Sequence, residues 1–154
     1  MKRRSWAVAA LVGATMLFST TPPAGAQAYP TPIGVCGGGK MHVIDKHRLK
    51  FGDRGKTYAT IYLLYDGSRN CVVTWKSREF AGSTRLRVEA YLQVKGSPTL
   101  AARDRHPYLY AGPVIANAAK KCIRWGGRIF LQPRPGHPVL SQRWMPKKPG
   151  HCGA

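Results

Sequence analysis

Acidic side chains and histidines are the groups of this chain that could carry out acid–base catalysis, and both are scarce. The carboxylates are Asp45, Asp53, Asp66, Glu79, Glu89 and Asp104, and the histidines are His42, His47, His106, His137 and His151. Catalysis by paired carboxylates requires two of them to meet in the fold, and their spacing predicts no such pair. The histidines lack the His-Glu-x-x-His spacing of a helical metal site. We therefore expect no catalytic residue, no metal and no cofactor.

One enzymatic arrangement is kept as an alternative. A secreted nuclease can use a glutamate base, a histidine acid and arginines at the phosphate. Glu79 or Glu89, together with His106 and with Arg85 or Arg87, would supply these side chains. Nothing in the sequence links them geometrically. A hydrolase of nucleic acid or of a cell-wall polymer is therefore the alternative to a non-catalytic protein, and a secreted inhibitor or toxin is a further one.

Basic side chains far outnumber acidic ones. The chain has 25 lysines and arginines against 6 aspartates and glutamates, which gives a formal charge of +19. Such a charge attracts polyanions over long distances, and salt weakens the attraction. The expected partner is an anionic polymer of the cell surface, and non-specific binding of nucleic acid is compatible with the same charge. Because the bases are spread along the chain, solubility alone is the other explanation of the charge. The bases that we expect to bind a polyanion are Arg85, Arg87, Lys95, Arg134, Arg143, Lys147 and Lys148.

The start of the chain has the organisation of a secretory signal peptide. Bases at 2–4 precede an uncharged apolar run at 6–18, which is followed by small residues. This run is shorter than the roughly 18 residues that a membrane-spanning helix needs. Two small-x-small cleavage sites compete, and we place the start of the mature chain at Gln27. We therefore expect a signal peptide at 1–26 and one secreted domain at 27–154, without a transmembrane segment in the mature protein.

All four cysteines lie in the predicted mature chain, at Cys36, Cys71, Cys122 and Cys152. Export to an oxidising compartment favours two disulfides over free thiols. Four cysteines allow three connectivities, and the spacing excludes none of them. If the first three strands form a meander, Cys36 lies near Cys71, which leaves Cys122 to pair with Cys152. We prefer this pairing.

Alternation of apolar and polar residues predicts β-strands, most clearly at 85–95. Every second residue from Leu86 to Val94 is apolar, and the residues between them are mostly charged or polar. A hairpin is predicted where two β-type runs flank a short glycine-containing connection at 66–70. No segment has a helical stripe. The other predicted strands are 41–45, 57–65, 71–75, 108–118 and 122–131. The fold class that we expect is all-β, a small antiparallel β-sandwich or barrel with two disulfides.

Prolines modify this pattern in two places. Pro113, inside the predicted strand 108–118, argues for an edge strand or a bulge. Residues 132–150 combine five prolines with several bases. We expect a basic, extended and partly mobile arm there, which is held at its far end only if Cys152 is cross-linked. The stretch 28–32 before the first cysteine is likewise expected to be irregular.

Several aromatic residues occur near bases and could stack on sugar rings or nucleobases. The alternative is ordinary packing of rings across neighbouring strands, which we favour. For two tryptophans, Trp75 and Trp125, we expect a place in the core. The aromatic residues considered for stacking are Tyr58, Tyr62, Tyr91, Tyr108, Tyr110 and Trp144.

Five sequence blocks together resemble the spore-associated protein A family of filamentous actinomycetes. They occur in the family's order and include all four cysteines. The blocks are GVCGGGKMHVID at 34–45, TIYLLYDGSRNCVVTWK at 60–76, YAGPV at 110–114, CIRWGG at 122–127 and HCG at 151–153. The resemblance implies an exported protein found with spores or aerial growth, with no established enzymatic activity, cofactor or catalytic residue. The expected function is that of a secreted, non-catalytic protein of the spore or cell surface.

Overall fold

The structure is a computed structural model that describes residues 30–52, 55–106 and 109–152, except for the side chains of Arg105 and His106. The predicted signal peptide and the competing cleavage sites lie outside the described residues. Within the described part of the chain, no helix is long and apolar enough to cross a membrane.

Eight antiparallel strands form a nearly closed barrel. Each strand pairs with its neighbours in the order β1-β2-β3-β6-β5-β4-β7-β8, so β1–β3 and β4–β6 each form a meander, and β7 and β8 form a hairpin beside β4. A short helix, α1 (Pro32–Val35), precedes the strands, and a 3-10 turn, Arg78–Phe80, follows β3. The strands are β1 (His42–Lys50), β2 (Thr57–Tyr65), β3 (Arg69–Lys76), β4 (Leu86–Val94), β5 (Leu100–His106), β6 (Tyr110–Asn117), β7 (Ile123–Leu131) and β8 (Leu140–Trp144). The all-β prediction is confirmed.

The central strand β4 shows why the alternation forms a barrel wall. Its apolar positions are all buried, while the residues between them are exposed or partly exposed on the outside. β4 pairs with β5 on one side and with β7 on the other. One row of side chains therefore faces the barrel core, and burying it stabilises the wall. The buried residues of this row are Leu86, Val88, Ala90, Leu92 and Val94.

The barrel interior is narrow where β7 passes opposite β2 and β3. A side chain at Gly127 would have its Cβ 2.5 Å from Thr74 Oγ1 and 2.9 Å from Ile61 Cγ1. Both distances are shorter than real Cβ contacts, so this position requires glycine. The Thr74 hydroxyl donates a hydrogen bond to the Glu89 carbonyl oxygen at 2.8 Å and ties β3 to β4 across the interior.

The β2–β3 hairpin forms as the sequence predicts. The Asp66 carboxylate accepts hydrogen bonds from the backbone N–H of Ser68 at 3.0 Å and of Arg69 at 2.7 Å. These two bonds lower the pKa of the Asp66 carboxyl. Gly67, with φ +101°, supplies the left-handed backbone that the turn needs.

Both disulfides have the connectivity that we preferred. Cys36 is bonded to Cys71, with the Cα atoms 6.0 Å apart, and Cys122 to Cys152, with the Cα atoms 3.9 Å apart. The first bond anchors the segment before β1 to β3, inside a second, smaller apolar cluster that includes Met41. The second bond ties the end of the described chain to the start of β7.

The segment 132–150, which we predicted to be an extended, partly mobile arm, contains a strand that the sequence analysis did not predict. Its middle forms β8, which pairs with β7, and Gly150 exchanges two backbone hydrogen bonds with Ile123 at 2.8 and 2.9 Å. The sequence did not reveal this strand because β8 is only five residues long and lies between prolines, which hide its pattern.

Two other expectations need correction, and for Pro113 the structure decides between an edge strand and a bulge. β5 was not predicted as a strand. The stretch before Cys36, expected to be irregular, contains α1, which begins at Pro32 with the Thr31 hydroxyl accepting a hydrogen bond from the Gly34 N–H. Pro113 is not at a sheet edge, because β6 lies between β3 and β5. The register of β6 against β3 shifts at Pro113, so the alternative prediction of a bulge is confirmed.

Candidate anion-binding surface

Four strands carry a row of charged side chains across the outside of the barrel. The register places Arg103 of β5 opposite Glu89 of β4, Glu89 opposite Arg128 of β7, and Arg128 opposite Arg143 of β8. Side chains directly opposite one another on antiparallel strands lie on the same face. Three arginines and one glutamate therefore form a single line.

A second line runs beside the first. Arg87 of β4 is opposite Phe130 of β7, and Phe130 is opposite Ser141 of β8. Arg124 of β7 adds a further base on the same face, opposite Gln93. We call the group of Arg87, Arg103, Arg124, Arg128 and Arg143 the arginine face.

Aromatic rings hold three of these guanidinium groups. The Arg128 Cζ lies 4.3 Å and the Arg87 Cζ 5.5 Å from the centre of the Phe130 ring. The Arg143 Cζ lies 4.8 Å from the centre of the Tyr91 ring. Such cation–π contacts stabilise an arginine without neutralising its charge.

Glu89 is the single carboxylate in these lines, and it is already engaged. Its Oε1 lies 3.2 Å from the Arg103 Nε, and its Oε2 accepts a hydrogen bond from the Tyr91 hydroxyl. Burial, followed by the hydrogen bond to Glu89, raises the pKa of the Tyr91 hydroxyl to about 12. The phenol therefore stays protonated at neutral pH and continues to donate to Glu89.

The other four arginines of the face have no ion pair with a described carboxylate. The Arg124 Nε donates to the Pro146 carbonyl oxygen at 3.0 Å, and the Arg128 Nη2 donates to the Ser141 hydroxyl at 3.2 Å. These neutral partners orient the side chains and leave their charge uncompensated. The face therefore has a net positive charge in a fixed arrangement.

Of the seven bases predicted to bind a polyanion, the structure places Arg87 and Arg143 on this face. Arg85 precedes β4 and lies with Lys56 and Glu79 at another cleft. Lys95 follows β4, and Arg134, Lys147 and Lys148 lie in the segments that flank β8. The sequence analysis missed Arg103, Arg124 and Arg128. Arg124, Arg128 and Phe130 are separated by even numbers of residues in β7 and therefore lie on one face of the strand. This spacing could have identified Arg124 and Arg128.

Of the residues considered for catalysis, Arg87 and Glu89 line one cleft, and Arg85 and Glu79 line another. Glu79 lies on the 3-10 turn and pairs with Lys56, away from the arginine face. Glu89 is engaged by Arg103 and Tyr91, and the side chain of His106 is outside the described residues. In the described ranges, no group of three His, Cys, Asp or Glu side chains could hold a metal ion.

Most of the other aromatic residues pack against one another. Tyr58 contacts Phe51 and Phe80, with ring centres 5.1 and 4.8 Å apart. Trp125 is buried in the core as predicted, whereas Trp75 is only partly buried and stacks on Tyr110 at 4.7 Å. Tyr108 lies outside the described residues. Cross-strand packing, which the sequence analysis favoured, accounts for Trp75 and Tyr110, whereas Tyr58 packs on rings that follow β1 and lie in the 3-10 turn.

Comparison with known proteins identifies one relative. The chain is 34% identical over 123 residues to spore-associated protein A of Streptomyces coelicolor, an alignment that covers 77% of this chain and 73% of that protein. No family model matches the chain. No solved structure matches it either. The identity and the coverage show that the chain belongs to the spore-associated protein A family.

Proposed function

We propose that this protein is exported and acts without catalysis at the surface of the cell or spore, where the arginine face binds an anionic polymer. The observation that carries the proposal is the cluster of four arginines, on one face, that pair with no described carboxylate. Two disulfides suit a protein that works in an oxidising compartment.

The name of the relative supports the proposed location. That protein is described as spore-associated, and we extend the location to this chain because they share a family. A polycation binds a polyanion largely through release of counterions, so its affinity falls steeply as salt rises. Retention at the surface would then need no membrane segment and no covalent attachment.

The state of Glu89 supports a non-catalytic role. A general base needs a carboxylate that is free to accept a proton from substrate. Both oxygens of Glu89 are engaged, by Arg103 and by Tyr91. These contacts give Glu89 a structural role, as the partner of an arginine and a tyrosine of this face, so binding is the simpler function for the face.

Two charge-matched variants test the proposal by measuring retention on isolated cell walls and spores. The face variant is Arg87→Gln/Arg128→Gln/Arg143→Gln, and the control is Arg48→Gln/Arg78→Gln/Lys120→Gln, whose bases are exposed elsewhere on the chain. We expect the face variant to lose roughly tenfold or more in affinity, and its slope of log affinity against log salt to weaken by about 3. The control should keep most of the wild-type slope.

Two results would overturn the proposal. Equal losses in the face variant and the control would mean that total charge, and not this face, causes retention. Breakdown of walls or nucleic acid by the purified wild-type protein, assayed in parallel, would favour the hydrolase alternative, with Glu79 and Glu89 as the first residues to replace.

A further inference from the structure

We propose that the arginine face binds the phosphate groups of a phosphodiester polymer that carries no aromatic bases, a poly(polyol phosphate). This inference rests on the proposed function and names the chemistry of its ligand. Two observations carry it: the choice of arginine at every basic position of four strands, and the occupation of the two aromatic rings of the face by those arginines.

The basic residues of the four strands are all arginines. β4, β5, β7 and β8 contain no lysine, whereas β1 and β3 contain Lys46, Lys50 and Lys76. A guanidinium group presents two parallel N–H donors that match two oxygens of a phosphate or a carboxylate, and a lysine ammonium cannot do this. A surface that needed only positive charge would have no reason to exclude lysine. The composition of these strands therefore favours a ligand with paired oxygens.

The arginines are also spaced for repeated contacts. Neighbouring strands are about 4.8 Å apart, and residues two apart on one strand are separated by about 7 Å. Arg128 and Arg143 lie opposite one another on adjacent strands, and Arg87 is on the neighbouring line. One flexible chain can therefore place successive charged groups against different arginines of the face.

A shallow cleft beside these arginines has room for one such group. It has a volume of about 270 Å³ and is lined by Arg87, Glu89, Arg103, Asp104 and Phe130. Both of its carboxylates are paired, Glu89 with Arg103 and Asp104 with Lys76. Because Arg103 neutralises Glu89 and Lys76 neutralises Asp104, Arg87 determines the sign of the charge in the cleft.

The aromatic rings argue against a nucleic acid. Proteins that bind single strands expose aromatic faces on which bases stack. Here Phe130 is covered by the guanidinium groups of Arg87 and Arg128, and Tyr91 by that of Arg143. The rings therefore act as supports that hold the arginines in place, and a base would have to displace an arginine before it could stack.

The test measures affinity of the oxidised, purified protein for three soluble probes at one salt concentration. The probes are poly(glycerol phosphate), oligodeoxythymidylate with the same number of phosphates, and polyglutamate of matched charge. The variants are Arg87→Lys/Arg128→Lys/Arg143→Lys, which keeps the charge, Phe130→Leu, which removes a supporting ring, and the control Arg48→Lys/Arg78→Lys. Circular dichroism and thermal unfolding check that each variant folds.

We expect wild-type protein to bind poly(glycerol phosphate) at least as tightly as oligodeoxythymidylate and more tightly than polyglutamate. The lysine variant should lose roughly tenfold in affinity for both phosphate polymers, because the paired donors are lost while the charge remains. Its affinity for polyglutamate should also fall, because a carboxylate accepts the same paired donors, so the preference of the wild type for poly(glycerol phosphate) over polyglutamate is the result that identifies phosphate as the ligand. Phe130→Leu should lower the affinity for both phosphate polymers by the same factor, and the control variant should bind like the wild type.

Other outcomes overturn this inference and leave the proposed function intact. An unchanged affinity of the lysine variant for phosphate polymers, with retention on walls preserved, would mean that the face recognises charge alone. A loss in Phe130→Leu that is confined to oligodeoxythymidylate would identify nucleic acid as the ligand. If wild-type protein binds neither walls nor any probe, the proposed function itself fails.

Discussion

Lys76 is a lysine whose charged side chain is buried, an unusual environment for this residue type. Its side chain is fully buried, and its Nζ lies 3.4 Å from Asp104 Oδ2 and 3.1 Å from the Ser83 carbonyl oxygen. Burial lowers the pKa of the Lys76 ammonium and raises the pKa of the Asp104 carboxyl, while their mutual attraction opposes both shifts. Asp104 also accepts a hydrogen bond from the Val88 N–H at 2.8 Å, close to the point where β5 leaves β4 and joins β6. The Lys76–Asp104 pair therefore supplies ionic and hydrogen-bond partners at the point where β5 changes its pairing from β4 to β6.

Replacing Lys76 with methionine should destabilise the protein by about 3 kcal/mol, because it leaves the Asp104 charge buried without its partner. The double variant Lys76→Met/Asp104→Asn should recover part of this loss, since it removes the unpaired charge and keeps an oxygen for the Val88 N–H. Urea denaturation of the single and double variants measures both free energies. Additive losses in the double variant would show that the two side chains are not coupled.

At the scale of elements, β1 and β8 are the ends of the strand order, and side chains close the gap between them. The His47 ring stacks on the Trp144 ring with 3.9 Å between centres and an interplanar angle of 8°. His151 Nε2 lies 3.1 Å from Asp45 Oδ2, which ties the end of the described chain to β1. We call this contact region between β1 and β8 the seam. Trp144 also contacts the buried ring of Trp125, with 4.9 Å between centres, so the seam continues into the core. Ring stacking thus joins β1 to β8, and the His151–Asp45 contact joins β1 to the segment that follows β8.

The seam should respond to acid through His47. Burial lowers the pKa of the His47 imidazole below its ordinary value of 6.5, and the nearby Asp45 charge partly offsets this. In the window between the folded and unfolded pKa values, the unfolded chain binds more protons. The contribution of His47 to stability is therefore complete above pH 6.5 and is lost as the pH falls through the window. His47→Phe keeps a stacking ring without a titrating group.

Comparing the wild type with His47→Phe cancels the contributions that the other titrating groups make to the pH dependence of stability. The free energy of unfolding should fall less in His47→Phe than in the wild type between pH 7.5 and pH 5, when both are measured by urea denaturation. The reverse order would mean that protonated His47 is favoured on Trp144 as a cation, and that burial does not control its titration.

The same elements show what the sequence could predict. β4 was recognisable because one of its faces is uniformly apolar. β5 was not, because Asp104 turns toward buried Lys76 and breaks the alternation. The disulfide pairing followed from a meander of consecutive strands, which the alternation reveals. The arginine face depends on the pairing of β5, β4, β7 and β8, an order that residue patterns do not encode. For that reason only Arg87 and Arg143 of the face were among the predicted bases.

At the scale of the whole molecule, the excess of positive charge is the dominant electrostatic property. The chain has 25 lysines and arginines against 6 acids. Each of the five described carboxylates already has a basic partner within 4.0 Å, namely Asp45, Asp66, Glu79, Glu89 and Asp104. Most of the bases therefore repel one another without compensation, and the fold must hold them together against this repulsion.

Salt is accordingly expected to stabilise the protein and to weaken its binding to polyanions. Raising NaCl from 10 to 300 mM shortens the screening length from about 30 Å to less than 10 Å, which reduces the repulsion among the bases. The melting temperature of the purified protein should rise by a few degrees, roughly as for a gain of 1 kcal/mol.

The variant Arg87→Gln/Arg128→Gln/Arg143→Gln removes three neighbouring charges, so its melting temperature should respond less to salt and its affinity for walls should also depend less on salt. A melting temperature that falls with salt in the wild type would mean that ion pairs contribute more to its stability than repulsion subtracts. The two salt dependences have one origin if both become weaker in this variant, because the arginines that repel one another in the free protein are then the same groups that the polymer neutralises.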